Sequence, residues 1–157
     1  MAAIEIRQAE TASDISAARE LFREYEAWLG LDLCFQGFED ELKNLPGKYA
    51  PPSGRLYMAY SDGALAGCIA MRSLGDGICE MKRLFVRDGF RGEKIGVQLI
   101  ERLIDEARKE NYHAMRLDTF PPKMGKAVSL YESHGFYPIP SYYDNPNDGV
   151  LFMQLDL

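Results

Sequence analysis

The chain has 157 residues, of which 46% are hydrophobic and 27% are charged, and its net charge is −6. This size and composition suit one globular domain over residues 1–157 and exclude general disorder or a fibrous structure. The acidic balance disfavours nucleic-acid binding through a broad basic face. No apolar run reaches the roughly 18 residues that a membrane span requires, so we expect neither nucleic acid nor membrane as a partner.

The cysteines and histidines indicate a reducing environment without a metal site. Cys34, Cys68 and Cys79 are odd in number and lack C-x-x-C spacing, so a disulfide scaffold is not expected. His113 and His134 have no cysteines with zinc-ligand spacing beside them. The N-terminal residues lack the basic and apolar regions of a secretory signal. We therefore expect a cytoplasmic protein that binds no metal.

The first half of the chain predicts a strand, two helices and a three-stranded meander. Alternation of Ile4 and Ile6 with polar residues predicts a strand at 3–7. Capping side chains at 11–14 begin a helix whose apolar positions recur every three or four residues until Gly30, and a shorter helix surrounds Phe38, Leu42 and Leu45. Hairpin signals at 62–63 and 75–77 join antiparallel strands at 55–60, 64–73 and 78–86.

The second half alternates helices and strands. A buried stripe between Ile95 and Ala107 predicts a long helix, and a strand at 114–119, a helix at 124–133 and strands at 136–141 and 150–157 follow. The strand–helix–strand unit from residue 78 to 119 should be parallel and right-handed. The fold class is therefore a mixed α/β fold with a central, largely antiparallel sheet and about four helices.

Residues 86–97 join a buried strand to the long helix and have the composition of an anion site. Gly92 and Gly96 permit a tight turn, and a helix N-terminus adds partial positive charge. In this segment and just before it, basic side chains outnumber the acidic Asp88 and Glu93; they are Lys82, Arg83, Arg87, Arg91 and Lys94. An ordinary strand-to-helix turn remains an alternative, whereas the glycine spacing excludes a dinucleotide fingerprint and a P-loop.

Two motifs resemble those of the GCN5-related N-acetyltransferase (GNAT) family. Arg91-Gly92-Glu93-Lys94-Ile95-Gly96 is similar to the acyl-CoA signature Q/R-x-x-G-x-G/A, and residues 127–136 (AVSLYESHGF) are similar to A-x-x-L-Y-x-x-x-G-F. The order of predicted elements resembles that fold over nearly the whole chain. Lys94 departs from the pattern because it replaces the first motif glycine, and we expect its side chain to point outward.

The resemblance implies that the strands before and after the long helix splay apart and hold acetyl-CoA as acyl-donor cosubstrate. On that basis the pantetheine arm pairs with the backbone of Leu84, Phe85 and Val86. The pyrophosphate is expected at Arg91, Gly92, Glu93, Lys94, Ile95, Gly96 and Val97. An amine then attacks the thioester directly, and an N–H group near Leu84 stabilises the tetrahedral oxyanion.

The resemblance also implies catalytic residues. Glu80 is the first candidate for the general base, with a pKa raised by partial burial; the alternative is a plain ion pair with Lys82, Arg83 or another cation. Asp118 is the second candidate. Tyr131 is the candidate acid for the leaving thiolate, and packing on the buried face of its helix is the alternative. Strand alternation points Cys79 away from Glu80, which disfavours an acyl-cysteine route.

The acceptor is expected to be a primary amine of a small molecule or peptide. Its candidate contacts are Trp28, Phe35, Asp118, Tyr142 and Tyr143, with core packing as the alternative for Trp28 and Phe35. A catalytically silent acyl-CoA-binding or sensor domain and a transferase for another acyl-CoA are the competing functions. Relatives often associate through their last strands, so the resemblance also implies a homodimer.

Overall fold

The computed structural model describes residues 2–31, 33 and 37–157. In this part of the chain seven strands and four α-helices follow one another, and they confirm the predicted mixed α/β class. They are β1 (Ile4–Gln8), α1 (Ala12–Leu29), α2 (Phe38–Lys43), β2 (Arg55–Ser61), β3 (Ala64–Gly75), β4 (Ile78–Val86), α3 (Ile95–Lys109), β5 (Ala114–Thr119), α4 (Pro121–Ser133), β6 (Tyr137–Ile139) and β7 (Leu151–Asp156).

All seven strands form one sheet in the order β1-β2-β3-β4-β5-β7-β6. Its neighbours are antiparallel except for β4 and β5, which are parallel, as the sequence predicts. The parallel pairing is short, because only residues 78–80 pair with residues 114–116. Beyond Glu80 and Arg116 the two strands diverge and leave a gap that opens toward their carboxyl ends.

A β-bulge in β4 lies at the start of this gap. Cys68 on β3 pairs with Phe85, whereas Ala70 pairs with Lys82, so β4 has one residue more than β3 between these pairs. Arg83 in the bulge has a φ of 61°. A bulge bends its strand and redirects the residues that follow, and here it turns the second half of β4 away from β5.

The sheet separates two apolar cores. On one face, α3 packs its buried stripe against Met81, Met115 and Leu117 of the sheet. On the other face, α1 and α2 pack against the other sides of β2, β3 and β4. Side chains of a strand alternate between faces, which places Cys79 in the α3 core and Glu80 on the opposite face.

The helix ends follow local capping chemistry. The Thr11 side chain accepts a hydrogen bond from the Asp14 amide at the start of α1, and Gly30 ends that helix in a left-handed conformation. Helix α4 begins at Pro121, earlier than predicted, because proline suits the first helical position, and Met124 departs from helical geometry.

No helix in the described ranges is long and apolar enough to cross a membrane.

A buried ion pair holds the bulge of β4 to α2. The Arg83 guanidinium donates to both carboxylate oxygens of Glu41, from Nε at 2.9 Å and from an Nη at 3.0 Å. Both side chains are only 2–3% exposed. Lys48 adds a second cation at 3.3 Å from Glu41, and the same guanidinium lies over the rings of Tyr25 and Phe38.

Replacing Glu41 by alanine should therefore destabilise the fold. Arg83 would be left as a buried, uncompensated charge, so we expect the free energy of unfolding to fall by about 3–5 kcal/mol in urea denaturation. Glu39→Ala is the matched control on the same helix, because Glu39 is 61% exposed and pairs with Arg23 at the surface. The control should lose less than about 1 kcal/mol; equal losses would contradict the role assigned to the buried pair.

Candidate active site

A cleft occupies the gap between β4 and β5. Residues 81–84 of β4 and 117–119 of β5 form its two sides, and the end of α1, the start of α4 and the segment before β7 complete the wall. The wall combines apolar groups with polar side chains, among them Lys82, Arg83, Asp118, Thr119, Asn145 and Asn147. Concave sites with a few convergent polar groups are typical of ligand binding.

The second half of β4 has an edge that faces this cleft. The Arg87 amide donates to Ala66 on β3, and backbone groups alternate between the two edges of a strand. Those of Leu84 and Val86 therefore face the gap, and the Val86 carbonyl accepts a hydrogen bond from Arg91 Nε at 3.0 Å. The backbone of Phe85, which was predicted to pair with the pantetheine arm, does not face the gap, because it pairs with Cys68 of β3. Its ring packs against Trp28 and Tyr25.

The turn into α3 presents a helix N-terminus next to the end of β4, where a Cβ on Gly96 would lie 4.0 Å from the Val86 side chain. Gln98 makes the first helical hydrogen bond, to the Lys94 carbonyl, so the amides of residues 95–97 have no partner within the helix. The first turn carries no acidic residue. Lys94 is exposed and has a φ of 60°, a conformation that favours glycine. The left-handed conformation explains why the family motif has glycine at this position. The exposure of Lys94 agrees with the expected outward direction of its side chain.

The basic side chains near the loop divide into two groups, which corrects the simple charge count. Arg83 is buried against Glu41, and Arg87 pairs with Glu20 and Glu24 of α1, so both hold the scaffold. Arg91 is partly exposed and pairs with Asp88 at 2.5 Å. Arg91 and Lys94 are therefore the cations of the loop that remain beside the α3 N-terminus.

Trp28 is half-buried at the end of α1, next to Leu29, which lines the cleft. Arg91 and Lys123 both lie 5.3 Å from its ring, which is within the range of cation–π attraction. Trp28 thus connects the loop before α3, through Arg91, to the start of α4, through Lys123. Phe35, which was predicted with Trp28 to contact the acceptor, lies outside the described residues, as does Cys34.

Glu80 is held by cations and a phenol. Arg72, its partner across β3, donates to Oε1 at 2.8 Å, and the Tyr142 hydroxyl donates to Oε2 at 2.6 Å. Lys82 Nζ lies 3.8 Å from Oε1. Burial alone would raise the pKa of Glu80, but Lys82, Tyr142 and Arg72 outweigh it and lower the pKa. The expected rise in pKa is therefore wrong, and the ion-pair alternative describes these contacts.

Asp118 is the carboxylate that lines the cleft. Burial raises its pKa, Lys82 opposes this, and Glu80 adds to it. The Tyr143 hydroxyl donates to Asp118 Oδ2, and the Asn145 amide donates to that hydroxyl at 3.0 Å. A carboxyl group with a raised pKa in a cleft is a candidate general base.

Tyr142 and Tyr143 fix the segment before β7. Each ring lies 5.2 Å from the Phe152 ring, edge to face, and the two hydroxyls bind the carboxylates of Glu80 and Asp118. These tyrosines were predicted to contact the substrate. In the structure their hydroxyl groups are engaged by the protein, so these tyrosines hold the two carboxylates and the segment before β7 in place.

Tyr131 forms part of the cleft wall and is buried. Its ring packs 5.7 Å from Phe136. Burial raises its pKa well above the ordinary value, so the phenol stays protonated at neutral pH. A neutral phenol beside the cleft can donate a proton or a hydrogen bond.

Lys82 was missed as a site residue and was considered only as local positive charge and as a possible ion-pair partner of Glu80. Its side chain is 7% exposed and lines the cleft. Burial, together with the charge of Arg83, outweighs the opposing effect of Glu80 and Asp118 and lowers the pKa of Lys82 to about 8. Strand alternation could have identified Lys82 from the sequence, because it places Lys82 on the same face of the sheet as Glu80.

Cys79 lies in the α3 core, as strand alternation predicted. Its side chain is fully buried, and burial raises the pKa of the thiol to about 12. A thiol in such a setting is poorly nucleophilic. The buried-cysteine interpretation is therefore confirmed over the acyl-cysteine route.

Known proteins resemble this chain in both sequence and fold. The model of the Acetyltransferase (GNAT) family matches residues 15–136. An uncharacterized N-acetyltransferase of Schizosaccharomyces pombe is 40% identical over 98% of this chain and 95% of its own. A GNAT-family acetyltransferase from Staphylococcus aureus superposes with a TM-score of 0.80 at 22% identity, over 98% of this chain and 99% of its own. The PaiA N-acetyltransferase from Thermoplasma acidophilum, solved with coenzyme A, gives 0.72 at 19% identity, over 99% of both chains.

The contacts of Glu80 predict a pH-dependent contribution to stability. Its charge stabilises the fold above its ordinary pKa, and this contribution is lost as the pH falls through the lowered folded-state pKa. Glu80→Gln should lower the free energy of unfolding by about 1.5–3 kcal/mol at pH 7, and the difference should shrink on acidification. Urea denaturation at several pH values measures this. A raised folded-state pKa would give the opposite sign at pH 7, with the variant more stable than the wild type.

Proposed function

We propose that this chain, which belongs to the Acetyltransferase (GNAT) family and is an N-acetyltransferase, moves the acetyl group of acetyl-CoA directly onto a primary amine of a small molecule or peptide. The observation that carries this proposal is the open edge of β4 beside the α3 N-terminus. Leu84 of that edge lines the cleft together with Asp118 and Tyr131, and the edge ends at Val86, whose carbonyl accepts a hydrogen bond from Arg91 in the loop before α3. A cytoplasmic location, another acyl donor and a homodimer remain predictions.

The residues at the cleft fit acetyl-CoA without rearrangement of the sheet. The backbone of Leu84 and Val86 can pair with the amide groups of a pantetheine arm, because β5 has diverged there. The amides at 95–97, with Gly92 in a left-handed turn, suit a pyrophosphate. Arg91 and Lys94 supply positive charge. Bound there, the cosubstrate supplies the activated acyl group.

We assign the general base to Asp118 in preference to Glu80. Asp118 lines the cleft and has a raised pKa, whereas both oxygens of Glu80 accept hydrogen bonds from Arg72 and Tyr142 and its pKa is lowered. An amine must lose a proton to attack a carbonyl carbon, and a carboxylate in contact with it can accept that proton. Asp118 therefore holds and deprotonates the acceptor.

Tyr131 and the amide near Leu84 act on the other side of the reaction. The attack forms a tetrahedral oxyanion, which a backbone N–H of the bulged β4 can stabilise. Collapse of that species breaks the carbon–sulfur bond and releases a thiolate, which needs a proton. The buried, neutral phenol of Tyr131 is the donor that the cleft provides.

Asp118→Asn should lower kcat by about 100- to 10,000-fold, because the variant has no base at the amine. In the wild type kcat/KM should rise with pH as Asp118 loses its proton, at a pH above the ordinary carboxyl value because its pKa is raised; the variant should lack this limb. Glu80→Gln is the comparison at the other carboxylate and should lose less. A larger loss for Glu80→Gln than for Asp118→Asn would return the base role to Glu80.

Tyr131→Phe separates binding from turnover. We expect kcat to fall by about 100-fold, since the leaving thiolate lacks its acid, while the dissociation constant for coenzyme A stays within twofold. Calorimetry measures binding, and thiol release with a panel of amines measures turnover. An unchanged kcat would remove Tyr131 from the mechanism. No calorimetric binding of coenzyme A by the wild type would overturn the proposed function, and binding without turnover on any amine would favour the sensor.

A further inference from the structure

We infer that Ser61 is a positioning residue for the cosubstrate, because its hydroxyl group holds the Glu93 carboxylate away from the α3 N-terminus, where the diphosphate would bind. The inference rests on the proposed function and concerns a residue that lies outside both family motifs. Ser61 ends β2, and Glu93 lies 32 residues later, in the loop before α3. The Ser61 hydroxyl donates to Glu93 Oε1 at 2.7 Å.

The alternation of β2 directs the Ser61 side chain toward α3. Tyr57 and Ala59, which share its face of β2, belong to the apolar core beneath α3. Tyr60 points to the other face, where its hydroxyl donates to Asp14 of α1. Ser61 is 5% exposed, and a buried hydroxyl is costly to leave without a partner. It is therefore a firm anchor for a carboxylate that approaches from the loop.

The loop around Glu93 has an unfavourable backbone that needs such an anchor. Both neighbours of Glu93 are left-handed, with a φ of 99° at Gly92 and of 60° at Lys94. A left-handed lysine costs free energy and persists only where the surrounding structure holds it. Among the described residues, the Ser61 contact is the only side-chain hydrogen bond that joins residues 88–94 to a strand other than β4. The contact thus fixes the turn as well as the carboxylate.

Glu93 is the acidic residue closest in sequence to the α3 N-terminus. It directly precedes Lys94, the capping residue, and the first turn of the helix contains no acid. The other acid of the loop, Asp88, pairs with Arg91. No ion pair within the described ranges includes Glu93, so no cation of these ranges compensates its charge there. The group that holds this charge in place is the Ser61 hydroxyl.

A carboxylate released at this point would compete with a phosphate group. The amides of residues 95–97 have no partner within the helix, and unpaired amides at a helix N-terminus attract negative charge of either kind. Only Lys94 separates Glu93 from the first of these amides, so a freed side chain can turn toward them. By holding Glu93, Ser61 leaves the amides to the diphosphate and keeps a repelling charge away from it.

Ser61→Ala tests the contact. The Glu93 carboxylate loses its anchor, and we expect the dissociation constant for coenzyme A to rise about three- to tenfold, the size of a charge effect at a helix N-terminus. Calorimetry with the full chain measures binding, and urea denaturation checks that the variant folds. Ser73→Ala is the matched control, because Ser73 is an exposed serine near the turn that joins β3 to β4. The control should bind coenzyme A as the wild type does.

Two changes at Glu93 separate its charge from a general loss of structure. Ser61→Ala combined with Glu93→Gln lacks both the anchor and the charge, so binding should return to within about twofold of the wild-type value. Glu93→Asp keeps the charge, but its side chain is one methylene group too short to reach Ser61, so it should weaken binding as Ser61→Ala does. Added salt should reduce the difference between each weakened variant and the wild type, because salt screens the released charge.

Each outcome addresses one claim. If Ser61→Ala binds coenzyme A as tightly as the wild type, the inference is wrong and the proposed function stands. If Glu93→Gln does not restore the binding that Ser61→Ala weakens, Ser61 acts through structure alone and the inference is equally overturned. Should Ser61→Ala fail to fold, Glu93→Asp decides, and unchanged binding there contradicts the inference. If the wild type binds no coenzyme A, the proposed function itself fails.

Discussion

The active cleft depends on the divergence of β4 from β5 after only three paired residues. A sheet normally continues its hydrogen bonds to the strand ends, so a gap needs a cause. The bulge at Arg83 supplies it, and Glu41 fixes the bulge through a buried ion pair with Arg83, to which the more exposed Lys48 adds a second cation. Removing one partner of such a network is costly even where the network itself adds little net stability. The network therefore specifies where the sheet opens.

In the proposed function, the same opening connects the two halves of the reaction. The bulge exposes the backbone edge of Leu84 and Val86 toward the gap, where the cosubstrate would pair, and Lys82 before the bulge also lines the cleft. The left-handed Lys94 then starts α3 close to the end of β4. Three local backbone features, namely a bulge, a short parallel pairing and a left-handed helix start, thus determine the position of the chemistry.

Much of this architecture could be predicted from the sequence. Hydrophobic periodicity predicts the strands and helices, and the glycine-rich turn predicts the helix N-terminus. Side-chain partners over long separations could not be predicted. The sequence spacing that indicates Glu80 as a base says nothing of Tyr142, which is far away in the chain and reaches Glu80 through a turn. Likewise, Arg83 and Arg87 resemble phosphate ligands until Glu41 and α1 are found beside them.

The reassignment from Glu80 to Asp118 illustrates why burial alone does not set a pKa. Both carboxylates are desolvated, and desolvation raises both pKa values. Arg72 on the neighbouring strand donates to one carboxylate oxygen of Glu80 and the Tyr142 hydroxyl donates to the other, so the charged form of Glu80 is stabilised. Asp118 pairs with a phenol and has Glu80 as a like charge nearby. Two acids on one face of the sheet therefore have different surroundings: Glu80 anchors the cations and the segment before β7, and Asp118 is the one that the proposed function makes the proton acceptor.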